Sequence, residues 1–287
     1  MNLKSNLESH LCFVTRLRDP YLSSAGHFFV QEYIQQQFTQ WGSVDIHTFN
    51  FAAYSGKNLI LNLPPKTNSE KRDLVPILTG AHYDSVPGSP GADDNATGVA
   101  VLLELARIFA AEPAKYPLRL VAFDMEECCP IGPGLLGSTS YATLLKEQGQ
   151  QLRLMISLEM LGYCNKQPNS QKYPSPLDKI YPNRGDFIAL VGNLRTVKDL
   201  ISLSRCIRSG GTPSQYLPVP NRGLIVKETR ASDHSPFWDQ GYPAMMITDT
   251  SFLRNPHYHK ASDTIATLDL DFLTGVCQGL VSWIGKL

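Results

Sequence analysis

"GAHYDSVPGSPGADDNATGVAVLLELA", residues 80–106, places one histidine and three aspartates in a loop that is rich in Gly, Pro and Ser. The loop lies between a continuous apolar run at residues 74–81 and an apolar helical pattern at residues 98–111. A continuous apolar run bounded by turn residues is typical of a strand that is buried on both faces. This stretch therefore predicts a strand–loop–helix unit with ionisable side chains at the end of a buried strand.

The rest of the chain repeats this alternation of strands and helices. We predict helices at residues 3–18, 27–41, 98–111, 139–148, 196–208, 235–240 and 269–284, with Ser138 as the N-cap of the fourth. We predict strands at residues 74–81, 118–124, 152–161, 186–193, 223–229 and 244–249, and alternating, edge-like strands at residues 44–51 and 58–63. The pattern predicts an α/β fold, a single three-layer domain over residues 1–287 with a central, mostly parallel mixed β-sheet flanked by helices.

The composition narrows the class of protein. Lys+Arg and Asp+Glu number 26 each, so the basic excess expected of a nucleic-acid binder is absent. No apolar run approaches the roughly 20 residues of a membrane helix. The N-terminus has no long apolar segment and no small-residue cleavage site, so we expect a cytoplasmic protein, with a secreted protein stripped of its signal peptide as the alternative. The sequence leaves the oligomeric state open.

The six cysteines do not form a recognisable framework. No CxxC pair occurs, so a zinc ribbon or thioredoxin-like motif has no support. We expect free thiols, with Cys12, Cys206 and Cys277 on apolar helix faces. Cys128 and Cys129 are adjacent in a "CCPIGP" segment whose role the sequence does not reveal.

Acidic side chains and histidines follow the predicted buried strands at the points where the strands end. Because the carboxyl ends of parallel strands meet at one edge of a sheet, which is where ligands bind in α/β folds, we expect these side chains to lie together. The set consists of His82, Asp84, Asp124, Glu126, Glu127, Glu159 and Asp249, with "NPHYHKASDT" (residues 255–264) close behind.

The chemistry of this set points to metal. Carboxylates clustered in a partly buried cleft could not all ionise without a cation. Histidine and carboxylate ligands without thiolates suit zinc or a similar metal, and several carboxylates with only two histidines suggest a bridged metal pair. Such a site still needs a carboxylate that is free to take a proton, and the adjacent Glu126 and Glu127 can supply a base and a ligand side by side.

Four motifs resemble a known family in order and spacing. They are "HYDS…GADDNATG", "AFDMEE…GLLGS", "SLEMLGY" and "SDHSPFWDQGYPAMMITDT…NPHYHKASDT", which together cover about residues 74–270. They are similar to the successive motifs of the co-catalytic two-zinc aminopeptidase family, which includes bacterial leucyl aminopeptidases, glutamate carboxypeptidases and, as one-zinc relatives, glutaminyl cyclases. The resemblance implies the three-layer fold of zinc-dependent exopeptidases.

The resemblance also implies a ligand set. His82 and Glu159 would bind one zinc, Glu127 and His259 would bind a second, and Asp94 would bridge both. Many relatives have Asp at the position of Glu159, which is a departure. His257 lies two residues from His259 and is the alternative ligand, although the family pattern favours His259.

Three further residues take supporting roles by the same resemblance. Glu126 would be the general base, Asp84 would orient the ring of His82, and Asp233 would contact the base as in the cyclase branch. The family also implies a cis peptide bond between Asp94 and Asn95. No cofactor other than zinc is implied.

The implied activity is hydrolysis of the N-terminal residue from peptides with a free N-terminus, by a metal-activated water and Glu126. A one-zinc glutaminyl cyclase and a metal-free binding module are the alternatives, and the presence of ligands at both His82 and Glu159 favours the peptidase. We expect residues 165–184 and 213–222 to shape the substrate pocket.

Three other patterns carry less weight. Residues 132–137 satisfy GxGxxG but do not follow a strand directly, so a dinucleotide-binding loop has little support. The stretch "SDHS" (residues 232–235) is not accompanied by a GxSxG motif, so a serine hydrolase has no support. The sequon at Asn95 falls inside the proposed metal loop, where a glycan would block the cleft. His234 is expected to hydrogen-bond within a turn.

Overall fold

The computed structural model describes residues 2–66, 74–127 and 134–287. Within these ranges one sheet contains eight strands. In chain order they are β1 Val44–Phe51, β2 Tyr54–Leu63, β3 Ile77–His82, β4 Leu118–Phe123, β5 Leu154–Glu159, β6 Ile188–Asn193, β7 Ser214–Val219 and β8 Ala244–Thr248.

The strand order is β1-β2-β4-β3-β5-β8-β6-β7. The central strands β4, β3, β5 and β8 run parallel to one another, and β6 and β7 form a further parallel pair. The antiparallel pairs are β1 with β2, β2 with β4, and β6 with β8. The sheet is therefore mixed, and its parallel centre brings the carboxyl ends of four strands to one edge.

Helices cover both faces of the sheet. They are α1 Leu3–Val14, α2 Ser24–Thr39, α3 Gly98–Ala111, α4 Leu136–Glu147, α5 Val197–Ser209, α6 His234–Asp239 and α7 Leu270–Lys286. The helices α1, α2, α3, α5 and α7 pack into the larger apolar core on one face, whereas α4 and α6 pack into a separate core on the other. This gives the three layers expected from the sequence.

The apolar alternation of the strands explains this layering. On β6, Ile188 and Leu190 point into the larger core, and Val191 belongs to the smaller one. Helix α3 is buried along almost its whole length, consistent with its apolar sequence. Among the described helices, none is both long and apolar enough to cross a bilayer.

Three predictions about elements were wrong. Residues 223–229, predicted as a strand, form short 3₁₀ turns, and the outer strand is instead β7, whose polar residues and Pro218 hid it. Residues 58–63 lie in β2, which pairs on both sides and is not an edge. Helix α4 begins at Leu136, so Ser138 lies inside the helix and is not its N-cap.

Four of the cysteines lie within the described residues, and all four are free thiols. Cys277 is buried and Cys206 is half-buried, as apolar helix faces require. Cys12 is exposed, so its predicted place on an apolar face was wrong. Cys128 and Cys129, with the rest of "CCPIGP", lie outside the described residues.

Candidate metal centre

The first group of side chains that could hold a metal ion forms around His82, the last residue of β3. Its Nε2 atom lies 3.3 Å from Asp94 Oδ1 and 3.7 Å from Glu159 Oε2. Glu159 is the last residue of β5, which pairs in parallel with β3, so both side chains emerge at the same edge. All three side chains are buried.

The second group shares one member with the first. His259 Nε2 lies 3.2 Å from Asp94 Oδ2 and 3.1 Å from Glu127 Oε2. Asp94 therefore presents one carboxylate oxygen to His82 and the other to His259. The structure brings all five residues implied as ligands into two adjacent groups joined through a single carboxylate.

Glu126 belongs to the same cluster. Its Oε2 lies 3.8 Å from His82 Nε2, which is close to the separation between His82 and Glu159. Donor atoms of His82, Glu126 and Glu159 lie within 4.8 Å of one another, as do those of His82, Asp94 and Glu127. Distance alone therefore does not separate Glu126 from the candidate ligands.

Asp84 contacts both the histidine and the acidic pair. Its Oδ1 lies 3.5 Å from His82 Nδ1, on the side of the ring that faces away from Asp94. Its two oxygens also accept hydrogen bonds from the backbone N–H groups of Glu126 and Glu127, each over 3.0 Å. Asp84 thus holds the segment after β4 against the end of β3, a connection that the sequence did not predict.

Asp233 is fully buried just before α6. Within the described chain neither of its carboxylate oxygens has a hydrogen-bond partner of normal geometry. Burial raises the pKa of Asp233 to about 7, although the charge of His82 opposes the rise. The expected contact with the base is not a hydrogen bond. Burial raises the pKa of Glu126, and the charges of Glu159, Glu127 and, least, Asp233 add to the rise.

The loop that carries Asp94 is held by its own polar atoms. The Asp94–Asn95 peptide bond is cis, as the family resemblance implied. Asn95 is buried, donates to Leu158 O and accepts from the backbone N–H groups of Gly98 and Met160, so its side chain is committed to the fold. Asp263 accepts hydrogen bonds from the N–H groups of Asp93 and Asp94.

Arg18 also supports this loop, a role that the sequence did not predict. Its guanidinium is fully buried and donates to the carbonyl oxygens of Tyr83, Pro90, Gly91 and Asp94. Gly91 has φ 59°, and a Cβ there would lie 2.9 Å from the guanidinium nitrogens. A lone arginine after a helix offers no local sequence signal for this role, because all four carbonyls lie more than sixty residues away along the chain.

Two acidic residues predicted at the same sheet edge do not join the cluster. Asp124 accepts hydrogen bonds from His27 Nε2 over 2.7 Å and from the N–H of Lys57 over 2.9 Å. Asp249 accepts from the N–H groups of Tyr163 and Ser251. Both carboxylates therefore organise loops around the site.

The remaining histidines near these motifs are separated from the cluster. His257 Nδ1 contacts Ser262 Oγ over 3.0 Å. His234 Nε2 contacts the carbonyl oxygen of Thr229 over 2.8 Å, as expected of a turn residue, and burial lowers its pKa to about 3. Of the two alternatives for the second ligand, the structure places His259 in the cluster.

The charges of the cluster shift the pKa values of its members. Burial opposes the protonated form of His82, but the charges of Glu126 and Glu159 outweigh it and raise the His82 pKa well above its ordinary value. For the carboxylate of Glu159 the effect of burial is the opposite, and burial raises its pKa. Without a metal, protonated histidines balance part of the negative charge of these carboxylates.

The second group behaves in the same way. Burial opposes protonation of His259, but its contacts with Asp94 and Glu127 raise its pKa to about 10. Burial raises the pKa of Glu127 to about 8, and the nearby Asp94 charge adds to the rise. Asp94 is the exception, because the two histidines outweigh its burial and lower its pKa.

This donor set fits zinc. In the part of the chain that the structure describes, neither ring nitrogen of His82 makes a hydrogen bond of normal geometry, and Glu127 Oε1 also lacks one. Buried polar atoms without partners are costly unless another group satisfies them. Imidazole nitrogens and carboxylate oxygens without thiolates are characteristic zinc ligands, and a cation would replace the protons that hold the cluster together.

Sequence comparisons agree with this chemistry. Residues 58–283 match the sequence model of peptidase family M28. The chain is 35% identical over 261 residues to the uncharacterized protein YfbL of Escherichia coli (strain K12), covering 88% of this chain and 77% of that protein. It is 30% identical over 190 residues to aminopeptidase YwaD of Bacillus subtilis (strain 168), covering 66% of this chain and 38% of that protein. The chain thus spans 38% of that aminopeptidase, and it spans 63% and 62% of two probable leucine aminopeptidases to which it is 26% and 24% identical.

Three solved structures have the same fold. The LapA aminopeptidase of Legionella pneumophila matches with a TM-score of 0.71 at 20% identity, covering 98% of this chain and 70% of that chain. A Zn-dependent exopeptidase from Parabacteroides distasonis matches at 0.69 and 16%, covering 99% and 97%. A glutaminyl cyclase from Porphyromonas gingivalis matches at 0.68 and 17%, covering 99% and 96%. At such low identity the likeness shows the fold alone, and it confirms the predicted fold class.

Proposed function

This chain belongs to peptidase family M28, and from that membership we propose that it is a zinc-dependent aminopeptidase holding two zinc ions. The membership confirms the resemblance found in the sequence motifs. The proposed reaction is hydrolysis of the peptide bond that follows the first residue of a peptide with a free N-terminus.

One observation carries the proposal of a metal pair. The two oxygens of Asp94 face different histidines, at 3.3 Å and 3.2 Å, and each histidine lies beside a further carboxylate. A single metal would need only one of these groups. His82, Asp94 and Glu159 would hold one zinc, and Asp94, Glu127 and His259 would hold the other. When bound, the ions would polarise the scissile carbonyl and lower the pKa of the attacking water.

Glu126 is proposed as the proton carrier. Glu126 lies at the cluster but is not among the residues proposed to hold either zinc. It would accept the proton of the attacking water and deliver it to the departing amine. Burial raises the pKa of Glu126 above the ordinary glutamate value, whereas bound zinc ions would lower it. A proton carrier works best when its pKa lies near the operating pH, and these two opposing effects would set the pKa of Glu126.

Asp84 and Arg18 are proposed as positioning residues. Asp84 fixes the backbone at Glu126 and Glu127 and faces the far nitrogen of His82. Arg18 fixes the loop that ends at Asp94. Contacts of this kind orient metal ligands, and their removal typically lowers metal affinity about 10–100-fold.

A free N-terminus suits this site because it carries a positive charge. The cluster contains the acidic side chains of Glu159 and Glu126, and the buried carboxyl of Asp233 lies near them. An ammonium group would be attracted to this edge, whereas an acylated N-terminus would not gain that interaction.

A one-zinc glutaminyl cyclase is the second candidate, since a solved cyclase shares the fold over 99% of this chain. The chain keeps a carboxylate at Glu159, oriented by a hydrogen bond from Ser232 Oγ over 2.8 Å, which favours retention of the first metal site. A metal-free binding module is the third candidate.

The test combines metal analysis with two assays on the same preparation. The full chain is loaded with zinc, desalted and analysed for zinc per chain, then assayed for release of p-nitroaniline from leucyl-p-nitroanilide and for cyclisation of an N-terminal Gln peptide. Two zinc ions with amide hydrolysis support the aminopeptidase. One zinc with cyclisation supports the cyclase, and neither metal nor turnover supports the binding module.

A further inference from the structure

A cavity opens beside Glu159, one of the proposed zinc ligands. Its volume is about 760 Å³ when the open solvent at its mouth is included. Its floor is the sheet face opposite α5, formed by Ala189 and Val191 of β6 and Met246 of β8. Residues within 173–181 and 215–217 contribute to its walls. Both of the segments that the sequence predicts to shape the substrate pocket therefore supply lining residues.

The walls are dominated by aromatic rings. They include Tyr173, Tyr181, Phe187, Tyr216 and Phe252. The hydroxyls of Tyr173 and Tyr181 donate to the carbonyl oxygens of Pro182 and Tyr216, so these tyrosines have no free hydroxyl proton for a ligand. Tyr173 and Tyr181 therefore contribute mainly the apolar surfaces of their rings.

Two of the smaller polar side chains of the wall, Thr229 and Thr250, are also committed. Thr229 Oγ1 donates to the carbonyl oxygen of Val226, and Thr250 Oγ1 shares hydrogen bonds with the side chain of Gln171. A polar ligand side chain entering here would lose water and gain few new partners, which is costly.

The wall is held in place from behind. The Arg254 guanidinium lies 4.7 Å from the centre of the Phe187 ring and donates to the carbonyl oxygen of Phe187 and to Gln171 Oε1. The rings of Tyr173 and Tyr181 stack on each other with centroids 6.0 Å apart. A preformed aromatic wall of this kind binds an apolar group without first having to become ordered.

The charge of the cavity points to the same class of ligand. Its carboxylates are Glu159, at the metal cluster, and the exposed Glu228. None of the described residues that line it is Lys or Arg. An acidic side chain would meet only negative charge here.

The rim extends the apolar surface outward. Phe252 is 45% exposed and Ile225, next to the lining residue Val226, is 70% exposed. Exposed apolar groups at the mouth of a cavity are typical of ligand-binding grooves. Phe252 also contacts the ring of Tyr258, whose neighbour His259 is a proposed ligand, so the rim runs from the cavity to the metal cluster.

We propose that this cavity receives the side chain of the first residue of the substrate and selects aromatic side chains, above all phenylalanine. The proposal rests on the proposed aminopeptidase function. A substrate whose scissile bond lies at the metal cluster has its first side chain within reach of Glu159, where the cavity begins. Contact between aromatic rings is worth roughly 0.5–1.5 kcal/mol beyond the area that they bury, which separates phenylalanine from leucine.

The experiment measures kcat/KM of the zinc-loaded full chain on the p-nitroanilides of Phe, Leu, Ala, Lys and Glu. We expect Phe to exceed Leu about 3–10-fold and to exceed Ala at least about 50-fold, with Glu the poorest. A preference for Leu, Ala, Lys or Glu over Phe would overturn the proposal while leaving the aminopeptidase function standing. Hydrolysis of none of the five would overturn both.

A cavity-filling variant tests the location. Ala189→Leu adds volume to the floor and is expected to lower the Phe-to-Ala ratio of kcat/KM at least about 10-fold. Ala53→Leu, on the exposed turn between β1 and β2 at the opposite end of the sheet, is the matched control and should keep the wild-type ratio. Zinc content and Tm of both variants are measured alongside. An Ala189→Leu protein that folds, binds zinc and keeps the wild-type ratio would place the specificity elsewhere.

Discussion

Nη2 of Arg18 donates a hydrogen bond over 3.3 Å to the carbonyl oxygen of Asp94, the residue whose side chain joins the two histidine groups. The same guanidinium also holds the carbonyl oxygens of Tyr83, Pro90 and Gly91. The first loop of the site is thus tied to the end of the first helix by one buried cation. Burial lowers the pKa of Arg18 only to about 10, so it keeps its charge at neutral pH.

Replacing Arg18 by Met should weaken both the fold and the metal site. Four carbonyl oxygens would lose a donor, and a buried polar group left without a partner costs about 1–3 kcal/mol. We expect the free energy of unfolding to fall by at least roughly 3 kcal/mol and zinc affinity to fall about 10–100-fold. Urea unfolding and competition with a zinc chelator measure the two effects.

Arg16→Met is the control for this substitution. Its guanidinium carbon lies over the ring of Phe29 at 3.8 Å, away from the loop. Zinc affinity close to wild type is expected for that variant. Equal zinc affinities in the Arg18 and Arg16 variants would show that the loop keeps its shape without the clamp.

The neighbouring histidines of the C-terminal loop provide a matched pair. His259 lies 3.1 Å from Glu127 and 3.2 Å from Asp94, whereas His257 contacts Ser262. His259→Ala should lower the zinc content by about one ion per chain, because a zinc site needs at least three protein ligands. His257→Ala should keep the wild-type content. Elemental analysis after dialysis measures both, and loss of zinc only in the His257 variant would reverse the assignment.

The distances in the cluster do not show whether Glu126 is a general base or a metal ligand, and Glu126→Gln distinguishes these two roles. If Glu126 carries protons, the variant should retain both zinc ions while kcat falls about 10²–10⁴-fold. Glu147→Gln, on the exposed end of α4, controls for the loss of a carboxylate and should keep its activity. A Glu126 variant that loses zinc together with activity would instead make Glu126 a ligand.

Stability in acid should depend on Glu104, a carboxylate remote from the site. Its side chain is fully buried between α1 and α3, where it accepts hydrogen bonds from Arg107 and Asn6. Burial alone would raise its pKa, but contacts with His10, Arg107 and Asn6 outweigh it and lower the pKa to about 2. The stabilisation is complete above the ordinary glutamate pKa and is lost as the pH falls toward 2.

Glu104→Gln removes this dependence. Wild type should lose roughly 2 kcal/mol more of its unfolding free energy than the variant between pH 6 and pH 3. Urea unfolding at intervals across that range measures the difference, with the exposed Glu8→Gln as the control that should follow wild type. Parallel pH profiles for wild type and the Glu104 variant would show that the contacts at Glu104 do not favour its charged form.

Much of the site could be predicted because its residues follow strands. The apolar runs before His82 and around Glu159 are local patterns, and parallel strands in an α/β fold end at a common edge. The helix Gly98–Ala111 was predicted with its observed bounds, since its apolar periodicity is strong and a glycine begins it. These features depend on residues that are adjacent in the chain.

The sequence by itself determined which side chains reach the sheet edge and which metal suits them, because residue type and local periodicity are written along the chain. The family resemblance already implied that Asp94 lies between His82 and His259, whereas only the tertiary structure decided that Arg18 holds its loop and that aromatic rings enclose a cavity beside Glu159. Those arrangements join residues separated by many tens of positions, and β7, with its polar residues and a proline, could be recognised as a strand only through its pairing with β6. Contacts between distant segments depend on how the elements pack, which no local pattern specifies.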